Sequence, residues 1–261
     1  MSQSVLLTVE ERVATLTFNR PEVFNAMDAD MMAEFRAAAE AVQRDAAVRA
    51  LVLRGAGKAF VSGGDVALFH ARIKELPNAI VRWGREMHFA ILALRRMAKP
   101  VLASVQGACA GAGLSVLCAA DLAVAADNAR FSLAYANIGA SPDGGSSHFL
   151  PRLLGYKRAM ELTLLPDLID ADTARNLGLV NWVVSADQLA QETARIGRRL
   201  ADGPTVAHGE AKRLMNQSFE RGIEAQMEEE LAAFARCALT HDLAEGVAAF
   251  VEKRQPKFRG E

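Results

Sequence analysis

The chain has 261 residues, of which 51% are apolar and 23% are charged, a composition that excludes a disordered or low-complexity protein. Its 30 basic and 31 acidic residues nearly cancel, so there is no positive excess to bind nucleic acid or an anionic membrane surface. The three cysteines are widely spaced and form no CxxC pair or cysteine–histidine cluster. We therefore expect a soluble protein with buried, reduced thiols, no metal site and no nucleic-acid partner.

The first two thirds of the chain alternate short apolar runs with helical patterns. Residues 5–10 and 13–18 are strand-like and flank a charged pair, which predicts an antiparallel hairpin. The apolar spacing from Met31 to Val42 predicts an amphipathic helix that Asp28 or Asp30 can cap. The elements predicted next are a strand at 50–55, a helix at 78–99, a strand at 100–107, a buried helix at 111–120 and strands at 121–127 and 130–135.

The uncharged run from Pro100 to Ala120 is long enough to cross a membrane. It contains Ser104, Gln106 and several glycines, however, so it is better interpreted as a buried strand, a glycine turn and a buried helix. The first residues lack the basic and apolar regions of a signal peptide. We expect no membrane association and a cytoplasmic location.

The last third of the chain has only helical patterns, at 156–165, 171–177, 188–201, 206–219, 224–238 and 243–254. Strands alternating with helices, followed by helices alone, predict an α/β core with a helical appendage. We place the core at residues 1–200 and the helical region at residues 201–261.

Two loops, "VSGGD" and "GACAGAG", place glycines directly after predicted strands. Glycine there allows close approach of a ligand and leaves backbone N–H groups free to bind it. The alternative is that these glycines only turn the chain. Nucleotide motifs do not explain them, because the P-loop spacing fails around "GAGKAF" and the third glycine of the dinucleotide-binding motif is absent.

Long motifs through nearly the whole chain resemble those of the crotonase (enoyl-CoA hydratase/isomerase) superfamily. They are "LTFNRPEVFNAMD", "GAGKAFVSGGDV", "KPVLASVQGACAGAGLSVLCAADLAVAADNARFSLAYANIG", "LPRLLGYKRAMELTLL", "ARNLGLVNWVV" and "EGVAAFVEKRQPKF". The resemblance implies an α/β fold built as a spiral of ββα turns. It also implies C-terminal helices that join subunits into a homotrimer or a dimer of trimers.

The resemblance assigns two backbone donors to an oxyanion hole for the carbonyl oxygen of an acyl-CoA thioester. By position in the motifs, these are the N–H groups of Gly64 and Ala112. The two glutamates that hydratase members use correspond here to Ser115 and Tyr135. Neither is a good base at neutral pH, so ordinary hydration is disfavoured.

Asp143, in "IGASPDGGSS", is the carboxylate that remains as a candidate base. An aspartate before two glycines is also a common turn residue and could cap the next helix. The resemblance favours catalysis, since members with an aspartate here include isomerases similar to epoxyphenylacetyl-CoA isomerase. It implies an isomerase that shifts a double bond, or opens a strained ring, with Asp143 as proton shuttle and no cofactor beyond the CoA of the substrate.

The resemblance also implies a set of residues that bind the acyl-CoA, the last two reaching it from the C-terminal helix of a neighbouring subunit. They are Val23, Ala26, Ser62, Asp65, Val66, Gly111, Tyr135, Pro142, Phe250 and Lys253. Another apolar group could line the acyl pocket or simply belong to the core: Phe69, Trp83, Met87 and Phe89.

Three alternative functions stay open at this point. The first is an enoyl-CoA hydratase with atypical acid and base residues. The second is a dehalogenase-like acyl-CoA hydrolase in which Asp143 is the nucleophile. The third is a CoA-binding protein without catalytic activity.

Overall fold

The computed structural model describes residues 3–261 of the chain. The strands of this range are β1 (Val5–Glu10), β2 (Val13–Phe18), β3 (Ala50–Gly55), β4 (Val101–Val105), β5 (Ala108–Ala110), β6 (Leu122–Ala126), β7 (Arg130–Ser132), β8 (Ile169–Asp170) and β9 (Trp182–Val184). The helices are α1 (Ala29–Arg44), α2 (Val66–Ala71), α3 (Leu76–Arg96), α4 (Ala112–Ala119), α5 (Ser146–Leu154), α6 (Tyr156–Leu164), α7 (Ala171–Leu177), α8 (Leu189–Ala201), α9 (Thr205–Gln217), α10 (Ile223–Ala238) and α11 (His241–Val251).

The main sheet has six strands in the order β1-β2-β3-β4-β6-β9. Its first pair is antiparallel, with Val5 opposite Phe18, and the remaining pairs are parallel. A smaller sheet has the order β5-β7-β8. The predicted hairpin and the predicted α/β core are confirmed.

Helices cover both faces of the main sheet. The larger core includes Phe18, Phe35 and Phe60, whose rings meet edge to face, and α1 packs beside α3 next to it. A smaller core lies under α8, where Ile196 packs with Val52. Because β3 and β4 are covered on both faces, their sequences are almost continuously apolar.

The structure corrects several predicted elements. Asp28 caps α1 by accepting a hydrogen bond from the Met31 N–H, so Asp30 is not the cap. The uncharged run divides into β4, β5 and α4, and no helix among residues 3–261 is long and apolar enough to cross a membrane. Helix α5 was not predicted, because Pro151 and the preceding glycines are typical of loops. The last helix ends at Val251 and not at Arg254.

Buried polar contacts attach the C-terminal helices to the core. The Lys212 ammonium of α9 lies 2.7 Å from an Asp121 carboxylate oxygen and donates to the Leu94 carbonyl. Asp242 accepts from the N–H groups of Arg259 and Gly260, which returns the tail to the start of α11. The domain boundary between residues 200 and 201 stays a prediction.

The cysteines are free thiols. Cys109 and Cys118 are buried, and burial raises the pKa of both, as expected for inert core thiols. Cys237 is only half-buried, so the expectation of a buried thiol is wrong at this position.

Candidate functional site

The two glycine-rich loops lie side by side. The first glycine loop (residues 61–65) comes after β3, and the second glycine loop (residues 107–113) contains β5 and leads into α4. The Ala110 N–H donates to the Val61 carbonyl at 3.0 Å. A Cβ placed on Gly111 would lie 3.5 Å from the Gly63 Cα, which is ordinary van der Waals contact. The two loops are therefore neighbours joined by a backbone hydrogen bond.

Both glycines adopt a backbone conformation that other residues rarely adopt. Gly63 has a φ of 120° and Gly111 a φ of 48°, and each precedes a candidate donor. Within residues 3–261, the N–H groups of Gly64 and Ala112 donate no hydrogen bond. Ala112 is the first residue of α4, where the N–H has no partner inside the helix and the helix dipole is positive. Neighbouring loops thus present two unpaired donors.

Asp143 forms a turn with its backbone and leaves its side chain available. Its carbonyl accepts from the Ser146 N–H at 3.2 Å and from the Ser146 hydroxyl at 2.9 Å. Its carboxylate oxygen Oδ1 accepts from the Tyr135 hydroxyl at 2.5 Å. No side chain caps α5, so the suggestion that the Asp143 carboxylate caps this helix is wrong. Pro142, directly before it, is half-buried.

Ser115 connects the loop of Asp143 to α4, the helix whose first residue, Ala112, has the unpaired N–H. Its side chain is fully buried on α4, one turn after Ala112. Its hydroxyl donates to the Asp143 carbonyl at 3.0 Å and lies 3.2 Å from the Tyr135 hydroxyl. Burial, and then the nearby Asp143 carboxylate, raise the pKa of Tyr135 well above its usual range. The phenol therefore stays protonated at every pH of biological interest.

Helices α2 and α3 form another wall of the site. A Cβ on Gly64 would lie 2.7 Å from Phe69, whose ring stacks on Trp83 with centroids 6.4 Å apart. Met87 is in close contact with Gly144. Phe69, Trp83 and Met87 thus lie around the site, whereas Phe89 is exposed with the Arg36 guanidinium over its ring.

Two residues on α3 were missed by the sequence analysis. A Cβ placed on Gly84 would lie 3.9 Å from Oδ2 of Asp143. The Gly144 N–H approaches Nε2 of His88 at 3.4 Å. The sequence gives a signal for only one of the two: Gly84 is a glycine in the middle of a helix, where glycine lowers helix stability.

Five residues predicted to bind CoA occupy one region beside the first glycine loop. Arg20 organises them by donating to the Ala26 carbonyl at 2.6 Å and to the Asp65 carboxylate at 3.1 Å. The same carboxylate caps α2 by accepting from the Leu68 N–H, and the Asp65 backbone is also engaged, since its N–H donates to the Met27 carbonyl and its carbonyl accepts from the Phe69 N–H. The others are Val23 and Val66, which are exposed, and Ser62, whose hydroxyl is 3.5 Å from the Val23 carbonyl.

Phe250 and Lys253, the two C-terminal residues predicted to bind the acyl-CoA, lie outside this region. Phe250 is exposed on α11 and borders a cleft of about 310 Å³ between α10, α11 and the tail. Among the described residues, none that lines this cleft belongs to the group around Asp143. Lys253 lies beyond the end of α11 with a φ of 56°, so its expected place on the helix is wrong.

Comparison with known proteins identifies relatives along almost the full length. Residues 8–261 match the sequence profile of the family described as enoyl-CoA hydratase/isomerase. The chain is 35% identical to trans-2-decenoyl-(acyl-carrier-protein) isomerase of Streptococcus mutans, over 99% of this chain and 98% of that protein. It is 35% identical to crotonyl-CoA hydratase of Syntrophomonas wolfei, with 98% of each covered. It is 33% identical to 1,2-epoxyphenylacetyl-CoA isomerase of Escherichia coli, with 100% of each covered.

A solved structure extends the similarity to the fold. An enoyl-CoA hydratase from a Polaromonas species superposes with a TM-score of 0.93 at 34% identity, covering 98% of this chain and 99% of that one. This agreement confirms the fold predicted from the sequence. Some of these relatives are named hydratases and others isomerases.

Proposed function

This chain belongs to the enoyl-CoA hydratase/isomerase family, and we propose that within it the protein is an acyl-CoA isomerase with Asp143 as its proton shuttle. One observation carries this proposal. A half-buried carboxylate, held by the Tyr135 hydroxyl, is tied through Ser115 to the helix that begins with the free N–H of Ala112. Ser115 and Tyr135 stand where the resemblance places the two glutamates of hydratases, so Asp143 is the carboxylate left to act.

The proposed reaction is a 1,3-shift of a proton. The thioester carbonyl oxygen accepts hydrogen bonds from the N–H groups of Gly64 and Ala112, and Asp143 removes a proton from the α-carbon. The electron pair of the broken C–H bond enters a dienolate, whose negative charge lies largely on the carbonyl oxygen. One preorganised donor at such an oxygen is worth about 3–4 kcal/mol in the transition state.

The double bond then moves from the β,γ to the α,β position as Asp143 returns the proton to the γ-carbon. A strained ring would open through the same enolate. The net reaction is an isomerisation, so atoms and electrons balance with no cofactor beyond the CoA of the substrate. The region beside the first glycine loop, at Val23, Ala26, Ser62, Asp65 and Val66, would hold the CoA.

A hydratase is the second candidate, favoured by the relative named crotonyl-CoA hydratase. Hydration requires one group to activate water and another to manage the α-carbon proton. Tyr135 remains protonated and Ser115 is a poor base, so neither can serve as the second acid–base group that hydration requires.

We expect crotonyl-CoA hydration by this protein to be at least about 10²-fold slower than by the Syntrophomonas wolfei enzyme, because one positioned acid–base group contributes about that much. The measurement is the loss of absorbance of the conjugated thioester, with both enzymes at equal concentration. A β,γ-unsaturated acyl-CoA serves as the positive control, since its conversion to the conjugated isomer raises the absorbance. Comparable hydration rates for the two enzymes would overturn the isomerase assignment.

Assembly into a trimer, or a dimer of trimers, is part of the proposal. The exposed apolar side chains on α10 include Met227, Leu231 and Phe234, a face that a neighbouring subunit would cover. A cytoplasmic location is also proposed.

We expect light scattering to give a mass three or six times that of the 28.1 kDa chain. Phe234→Glu should lower this mass, because it places a charge in the apolar face of α10. Glu228→Gln, on an exposed position of the same helix, is the control and should leave the mass unchanged. A monomeric wild type would contradict this part of the proposal.

A further inference from the structure

The two carboxylate oxygens of Asp143 have different surroundings. Oδ1 accepts the 2.5 Å hydrogen bond from the Tyr135 hydroxyl. Oδ2 accepts no hydrogen bond within residues 3–261 and lies on the side of Gly84, where a Cβ would be 3.9 Å away. Because Oδ1 already accepts a hydrogen bond and Oδ2 does not, Oδ2 is the oxygen available to take a proton.

The hydrogen-bond direction between Tyr135 and Asp143 is fixed by chemistry. An ionised carboxylate can only accept, so the single phenolic proton must point at Oδ1. Burial and the charge of Asp143 raise the pKa of Tyr135, which keeps that proton on the phenol. The Ser115 hydroxyl lies 3.2 Å away and can donate to the phenolic oxygen or to the Asp143 carbonyl.

Gly84 leaves open the space in front of the free oxygen. It is buried in the middle of α3, between Trp83 and the turn that carries Met87. Alanine would be more favourable there for helix stability by about 1 kcal/mol. A methyl group at this position would contact Oδ2 at 3.9 Å, so glycine leaves this side of the oxygen uncovered.

We propose that Tyr135 is a positioning residue that holds Oδ1 of Asp143 and thereby makes Oδ2, facing the space over Gly84, the oxygen that carries the proton. This inference rests on the proposed function, in which Asp143 is the base. Removal of this hydrogen bond should therefore lower the rate of proton transfer more than it alters the affinity for substrate.

The titratable groups that face the carboxylate are few. Tyr135 approaches from the 3₁₀ helix at Tyr135–Ile138 and His88 from α3, through the Gly144 N–H. Helix α4 contributes Ser115, which does not titrate in the working range.

The principal test is Tyr135→Phe, which keeps the ring and removes only the hydroxyl. We expect kcat to fall about 10-fold, the size of one charge-assisted hydrogen bond. KM for a β,γ-unsaturated acyl-CoA should change less than about twofold, because the variant keeps the ring and the hydroxyl donates to Asp143. Ser115→Ala retains the Tyr135–Asp143 hydrogen bond and should lower kcat less than Tyr135→Phe does.

Gly84→Ala is the second test, and it does not depend on how well the phenylalanine variant folds. A methyl group beside Oδ2 should lower kcat at least 10-fold while the melting temperature stays equal or rises. Gly197→Ala, in α8 beside Val52, is the matched control for adding a methyl to a helical glycine and should leave kcat unchanged.

Normal kcat in Tyr135→Phe, or normal kcat in Gly84→Ala, would overturn the proposal if Asp143→Asn is inactive. If Asp143→Asn retains activity, the proposed function itself is wrong. The two failures are therefore distinguishable.

Discussion

Asp143→Asn is expected to lower isomerisation of a β,γ-unsaturated acyl-CoA by about 10²–10⁴-fold, with little change in affinity for the acyl-CoA. The reason is that asparagine keeps the size and the polar contacts of the side chain but cannot take a proton. Its amide oxygen can still accept the hydrogen bond that Tyr135 donates to Oδ1. The turn, which the Asp143 backbone forms with Ser146, does not involve the side chain.

Proton exchange gives an independent readout of the same step. In D₂O, the wild type should introduce deuterium at the α- or γ-carbon, as measured by mass spectrometry, and Asp143→Asn should not. Calorimetric titration with a non-reacting saturated acyl-CoA is the control for binding. Near-normal turnover by the asparagine variant would mean that Asp143 is only a turn residue.

Ala112→Pro is expected to lower kcat/KM by about 10²–10³-fold, because proline removes one of the two donors proposed for the carbonyl oxygen. The position tolerates this change better than most, since Ala112 is the first residue of α4 and proline is favoured there. The Ala112 N–H also makes no hydrogen bond within residues 3–261 that the variant would lose.

Ala112→Gly is the matched control, because it alters the side chain and keeps the N–H. It should retain most of the wild-type kcat/KM, and thermal unfolding of both variants should remain cooperative. Equal activity of the proline and glycine variants would remove Ala112 from the proposed mechanism.

The main sheet was predictable where its strands have regular patterns. The hairpin between Val5 and Phe18 follows from alternation about a charged pair, and β3 and β4 follow from apolar runs. The short strands β8 and β9 were missed, because two or three residues carry no periodicity. Their pairing is set by neighbouring strands and not by local sequence.

The site was predictable to the extent that it depends on motifs. The resemblance selected Gly64, Ala112 and Asp143 as candidates, and the structure shows where these residues lie. It could not predict the contact of Tyr135 with Asp143, since seven residues separate them and no helix or strand spacing brings their side chains together. Gly84 was also beyond prediction, because its closeness to Asp143 results from packing of α3 against a distant loop.

Glycine is required on both sides of Ala112, for two different reasons. Gly111 has a positive φ, and a Cβ on Gly113 would lie 2.1 Å from the Val61 carbonyl oxygen. At Ala112 itself, the N–H survives every substitution except proline. A saturation-mutagenesis map of this loop should therefore be strictest at positions 111 and 113, although the donor belongs to 112. The requirement for the Ala112 N–H would therefore show in such a map as intolerance to substitution at the two neighbouring residues and not at Ala112.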